Sequence, residues 1–266
     1  MNIQRGVSIH LYRLAIQAAQ KLEEGGVCTK DEFIAAVNDA SRENKFVQSI
    51  KNPQERPFLL EGYIYPDTYD FYVGEGAEKA LGRFLSNTES KLTDGMYKKA
   101  EELGMSMDEV ITLASIIQQE ASVPSVMANV SSVLHNRLNS PSYPRLQCDA
   151  TIFYLKRSVK PYISGDVNRY NSLYNMYKCK GLPAGPIANP GMNSIRAALY
   201  PAETDYYFYA LDTTGVHHFS ETYYEHQNFL NELAGKEEEA DQQAGTDDEN
   251  AEQTGDAADT ENQTDG

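Results

Sequence analysis

One stretch constrains the fold of this chain more than any other: Ser106 to Pro124. Ser106 and Glu109 have the S-x-x-E spacing in which a hydroxyl and a carboxylate satisfy the free N–H groups of a helix's first turn. Leu113, Ile116 and Ile117 then fall on one face at helical spacing, which predicts a helix packed against the core. Pro124 closes it from outside, because its ring cannot sit in a helix interior. Glu120 lies seven, four and three residues after those three apolar positions, on their face.

That places a carboxylate in the last turn of a buried helix. Desolvation and the negative end of the helix dipole both favour the neutral acid, and a general acid working near neutral pH needs such an environment. The plain alternative is that the helix is turned slightly and Glu120 meets water at a frayed end, since glutamate is almost never fully buried unless paired.

Charge separates the chain into two parts. The net charge is −16 over 266 residues. Residues 236–266 hold twelve acids and one lysine, with no aromatic and nothing apolar larger than alanine. Such a segment cannot offset its ordering entropy by burial, so a disordered acidic tail is expected there. The remaining 235 residues are nearly balanced in charge and long enough for a sizeable core. No basic stripe points to nucleic acid. No apolar run reaches membrane-spanning length, and there is no signal peptide. Cys28, Cys148 and Cys179 are odd in number and far apart, giving neither a disulfide framework nor metal spacing.

Along the chain, Met1 to Arg5 reads as a strand. Ser8 reads as the cap of a helix carrying Leu11, Leu14, Ala15, Ala18 and Leu22. Thr29 and Glu32 form a second capping box ahead of a short helix. Phe58 to Tyr69 alternates aromatic residues, which suggests an extended, half-buried segment turning at Pro66-Asp67. An amphipathic helix is expected from Gly76 to Leu92 and a short polar helix around Met96 to Leu103. Another should start near Ser125 and end at Asn136 and Arg137, where Arg137 either complements the helix C-terminus or reaches a cleft. Gly181 to Gly191 is too rich in proline to be an ordinary linker, and Asn189 with Pro190 should open a helix. Tyr206–Leu211 and Val216–Phe219 read as a hairpin around Asp212–Gly215. Thr222 and Glu225 cap a final helix. Twelve of the 18 tyrosines lie between Tyr143 and Tyr224, flat rings with a hydrogen-bonding tip that suit sugars as well as ordinary sheet packing.

Short catalytic motifs for serine hydrolases, zinc proteases and P-loop enzymes are absent from the sequence. His217, His218 and His226 lack partners at metal-ligand spacing. Glycoside hydrolysis normally takes two carboxylates; Asp149 is the best second candidate. A reaction needing one acid suits the sequence better.

These residues resemble the endolytic murein transglycosylases, the MltG or YceG-like proteins. The resemblance rests on Glu61-Gly62-Tyr63-Ile64-Tyr65-Pro66-Asp67-Thr68-Tyr69, on Leu113 to Ile117 with Glu120, and on Asn136-Arg137-Leu138. It continues through Leu146-Gln147 with Asp149 and Thr151, Tyr174-Asn175-Met176-Tyr177, Gly181-Leu182-Pro183, Gly185-Pro186-Ile187 and Asn189-Pro190-Gly191. His218-Phe219-Ser220 with Glu225-His226 completes it. Gln118 departs from the pattern, standing where the family often has a second glutamate.

The resemblance implies an α+β fold: a partial LysM-like module over residues 1–50, a YceG-like catalytic domain over 51–235 with its glutamate near the end of a buried helix, and the tail over 236–266. It implies cleavage of peptidoglycan between N-acetylmuramic acid and N-acetylglucosamine, leaving 1,6-anhydro ends and terminating glycan elongation. Glu120 would be the acid and then the base, with no cofactor and no metal. Asn136, Arg137, Gln147, Asp149, Thr151, Tyr174, Asn175, Tyr177, Asn189, His218 and Ser220 would line the substrate. Glycan strands are the implied substrate, peptidoglycan synthases the implied partners, and the outer face of the bacterial cytoplasmic membrane the implied location. Family members usually begin with a membrane-spanning helix, and this chain starts inside the module, as a truncated form would. A hydrolase of the muramidase type using Glu120 and Asp149, and a non-catalytic wall-binding scaffold, are the rival readings.

Overall fold

The structure, a computed structural model, describes residues 6–10, 14–121 and 123–236. The expected strand at Met1–Arg5 and most of the acidic tail lie outside the described residues. The fold is mixed helix and sheet. Two compact units divide between Tyr207 and Phe208.

The first unit opens with β1 (Gly6–His10), antiparallel to β2 (Thr68–Tyr72) with Ser8 opposite Asp70. Ser8 is therefore inside a strand and is not the cap of a helix. The helix α1 starts later, at Ala15, and runs to Glu24. Helix α2 (Lys30–Val37) carries the expected Thr29–Glu32 capping box. A short α3 (Lys45–Ser49) follows. Helix α4 (Ala77–Lys91) buries Ala80, Leu81, Phe84 and Leu85. Phe84 meets the rings of Phe33, Tyr69 and Phe71 at centroid distances of 5.9, 4.6 and 5.4 Å, so α2, α4 and β2 share one aromatic core.

Phe58 to Ile64 is not extended and half-buried. It makes tight turns, Glu61 N–H to Phe58 O and Tyr63 N–H to Leu60 O, and every residue in it is buried. Gly62 makes that possible. Its φ is +91°, and a Cβ there would lie 2.5 Å from Pro186 Cγ and 3.0 Å from Ile111 Cγ2. The aromatic alternation reflects packing inside a knot of turns, which periodicity cannot distinguish from a strand.

After α5 (Asp94–Glu102) comes the central helix, α6 (Met107–Glu120). Both halves of its Ser106–Glu109 capping box are present. Every residue from Val110 to Ile117 is buried, so this helix is enclosed on all sides. A 3-10 turn at Pro124–Val126 leads into α7 (Met127–Leu138). Then come α8 (Ala150–Tyr154), continued by a π-helical turn at Leu155–Val159, the short α9 (Asn171–Tyr174), and α10 (Met192–Leu199), which packs on α6 and α7. Helix α10 begins with Gly191 as its cap, not Asn189, because the Asn189 side chain is engaged elsewhere.

The second unit holds the expected hairpin, β3 (Phe208–Leu211) against β4 (His217–Ser220). The helix over residues 223–236 starts at the Thr222–Glu225 box, with reciprocal bonds of 3.2 Å. His226 stacks on Phe208 and Phe229 on His218, at 5.2 and 4.3 Å between centroids.

Candidate active site

Glu120 is the last residue of α6, and it is half-buried. The expectation that it faces the closed core needs correction. Complete enclosure ends at Ile117, and the final turn emerges at the rim. The described acid that is fully buried is Glu61, 1% exposed.

The end of α6 is held by polar side chains on its own buried body. Ser115 Oγ accepts the N–H of Ile187 at 3.0 Å, and Gln118 Oε1 accepts the N–H of Gly191 at 3.0 Å and the Ser194 hydroxyl at 3.1 Å. Asn189 Oδ1 accepts the N–H groups of Gly62 and Ile64 at 2.8 and 3.2 Å. Arg56, in an ion pair with Asp108, donates from Nε to Ala184 O at 3.0 Å. Residues 183–191 are thus a rigid strap pinned to α6 and to the Glu61–Ile64 turns, as the proline content of that loop suggested.

The segments 145–149 and 174–181 run beside each other, joined by Gln147 N–H to Met176 O and Gly181 N–H to Pro144 O. Here the exposed candidates gather. The Tyr177 hydroxyl donates to Asp149 Oδ1 at 2.9 Å. Burial pushes the Tyr177 phenol up to about 12, helped by its bond to Asp149 and by the Asp149 charge, with smaller contributions from Cys148 and Glu120. Asn175 Oδ1 accepts the N–H of Tyr177 at 3.0 Å and sets its turn. Gln147 has φ +57°, the only left-handed non-glycine among the described residues; strain of this kind gathers at functional sites. Arg137 holds it, donating to Gln147 Oε1 at 2.8 Å.

The other candidates sit differently. Arg137 is buried and also donates to the carbonyls of Arg145 and Tyr207 at 3.1 and 2.6 Å. It is neither the surface cation nor the cleft group that its position allowed. Asn136 donates to the carbonyls of Thr204 and Tyr206 at 2.8 and 2.9 Å. Thr151, Tyr174 and Asn189 are buried, with Thr151 donating to Cys148 O. Their geometry is that of braces behind the wall. His218 and Ser220 belong to the second unit, where His218 pairs with Asp212 at 2.9 Å.

Glu61 lies in the segment expected to be extended, and no role of its own was assigned to it from the sequence. Its Oε1 accepts the N–H of Ala15, the first residue of α1, at 2.9 Å, so it caps a helix 46 residues away. Burial pushes its carboxyl up to about 8. Short-range motifs carry no signal for a cap of this span. A cavity of about 540 Å³ lies at the opposite, N-terminal end of α6, lined by Arg56, Asp108 and His135 among others, and Glu120 is not in its wall.

A glutamate ending an enclosed helix, with an exposed tyrosine–aspartate pair at the start of a helix packed on it, gives a candidate helix-borne carboxylate site on an α+β scaffold. The profile of the YceG-like family matches residues 2–232, and the chain belongs to that family. An endolytic murein transglycosylase of Bacillus subtilis (strain 168) is 28% identical over 233 residues, 85% of this chain and 62% of that relative. One from Streptococcus pneumoniae (serotype 2, strain D39) is 26% identical over 200 residues, 70% of this chain and 36% of that relative. The chain therefore spans about three-fifths of the first relative and about a third of the second. The crystal structure of a YceG-like protein from Listeria monocytogenes superposes with a TM-score of 0.71 at 29% identity, covering 84% of this chain and 75% of that one.

Proposed function

We propose that this chain is an endolytic lytic transglycosylase of peptidoglycan. Glu120 donates its proton to the oxygen between N-acetylmuramic acid and N-acetylglucosamine, and that bond breaks. The resulting carboxylate takes the proton of the muramic C6 hydroxyl as its oxygen bonds to its own anomeric carbon. The product is a 1,6-anhydro end. No water is consumed, and Glu120 regains its starting form. Cutting nascent strands in this way would terminate their elongation.

The observation that carries this reading is the address of Glu120. It sits at the half-open end of an enclosed helix, and helix α8, which begins just after Asp149, packs on that same helix. The names of the Bacillus and Streptococcus relatives support the substrate class. Asp149, held by Tyr177, serves in this reading to orient substrate. Residues 1–50 are read as a LysM-like segment and 51–235 as the catalytic domain. The site of action is the outer face of the cytoplasmic membrane, near peptidoglycan synthases. Among the described residues no helix is long and apolar enough to cross a membrane.

The test is digestion of purified sacculi by the wild type and by Glu120→Gln. The wild type should release anhydro-ended fragments. The variant should release none while melting within about a degree of the wild type, since the substitution changes one exposed-edge atom group and surface changes of this kind stay within ±0.5 kcal/mol. Equal release by both would remove Glu120 from the chemistry.

A further inference from the structure

We propose that Phe153 is a sugar-stacking platform, holding a pyranose ring of the glycan strand just beyond the bond that is cut. The proposal rests on reading the chain as a glycan-cleaving enzyme.

Of the nine phenylalanines, eight are buried or half-buried and only Phe153 is exposed, at 46%. A single exposed apolar ring is ordinary. This one differs in what surrounds it. Its backbone N–H donates to Asp149 O at 3.0 Å, so the ring stands one helical turn beyond Asp149 and on the same face. Tyr177, 43% exposed, donates its hydroxyl to the Asp149 carboxylate. Two exposed aromatic residues are therefore tied to Asp149, at the start of helix α8, which packs on α6, the helix that ends in Glu120.

The Arg157 guanidinium stands 4.8 Å from the Phe153 ring centroid. That contact holds the ring in place before a ligand arrives. Arg157 belongs to the π-helical turn Leu155–Val159, a geometry found mostly as single turns at functional sites. From Asp149 to Arg157 the ridge is about 12 Å long at 1.5 Å per residue, room for a short run of sugar rings. The chemistry matches a pyranose, whose C–H face stacks on an aromatic ring while its hydroxyls bond a neighbouring carboxylate.

The test compares Phe153→Ala, Phe153→Trp and Tyr72→Ala in the full chain. Tyr72, on β2, is as exposed as Phe153, at 45%, and serves as the control. On soluble glycan strands, Phe153→Ala should raise KM about 3- to 10-fold, the worth of one aromatic contact, with kcat and melting temperature unchanged. Phe153→Trp should keep the wild-type KM, as should Tyr72→Ala. Co-sedimentation with sacculi, using each substitution on a Glu120→Gln background, reads binding without cleavage. Weaker sedimentation of the Phe153→Ala form upholds the platform even where the wild type fails to cleave, an outcome that sinks only the catalytic reading. An unchanged KM together with unchanged sedimentation overturns the platform.

Discussion

The Tyr177 hydroxyl gives its hydrogen bond to Asp149 Oδ1 at 2.9 Å, and Asn175 in turn sets the backbone of Tyr177. Asp149 is therefore a partnered, exposed carboxylate whose place is fixed by its neighbours. Replacing it by Asn keeps the shape and one acceptor oxygen. Asp149→Asn should lower kcat/KM by about 10- to 100-fold, the loss of a charged hydrogen bond, whereas Glu120→Gln abolishes turnover. Steady-state assays of the two variants check the ranking. Total inactivity of Asp149→Asn would move it into the chemistry.

Gln118 accepts from two donors, the Gly191 N–H at the end of the strap and the Ser194 hydroxyl of α10. Gln118→Ala leaves the Gly191 N–H without its acceptor, while the Ser194 hydroxyl keeps Gly191 O at 2.9 Å, at a cost of about 1–3 kcal/mol. Gln118→Glu keeps the acceptor oxygen and should recover most of that stability. Urea denaturation of the three proteins decides this; equal stability of all three would show that the strap does not depend on Gln118.

Gly62 has no room for a side chain. Gly62→Ala must move Pro186 or Ile111 and hold an L-residue at φ +91°, a combined cost of about 2–4 kcal/mol. A clear drop in melting temperature is expected. An unchanged value would mean that the Glu61–Ile64 turns can shift freely against the strap.

Much of this was legible in the sequence. The capping boxes at Thr29, Ser106 and Thr222 placed helix starts to the residue, because a cap is a contact within four positions. The hairpin at Asp212 to Gly215 was legible for the same reason. Ser8, the Phe58–Ile64 turns and Asn189 were misread because distant partners decide their local structure: β2 for the first, Pro186 and Ile111 for the second, Gly62 and Ile64 for the third. The site itself was half legible. Glu120 is marked by helical spacing, but its emergence from the core depends on where neighbouring elements stop. The division of its companions into an exposed pair and buried braces is tertiary throughout.

Glu61 gives the fold a pH dependence with a definite sign. Burial pushes its carboxyl from the ordinary 4.5 up to about 8 in the fold. The folded chain therefore keeps a proton that the unfolded chain releases, and stability falls as pH rises from about 4.5 to 8. Glu61→Gln removes that titration. The melting temperature of the variant minus that of the wild type should become more positive between pH 5 and pH 9. A difference that stays flat across the range would mean that Glu61 is ionised in the fold.

The central claim is that the muramic C6 hydroxyl, and not water, attacks the anomeric carbon. Digestion of sacculi in water enriched in oxygen-18, followed by mass spectrometry of the fragments, tests it most directly. The account predicts 1,6-anhydromuramic ends that carry no label and are one water lighter than reducing ends. Reducing muramic ends labelled with oxygen-18 as the main product would contradict it and make Asp149 the partner of Glu120 in a hydrolysis.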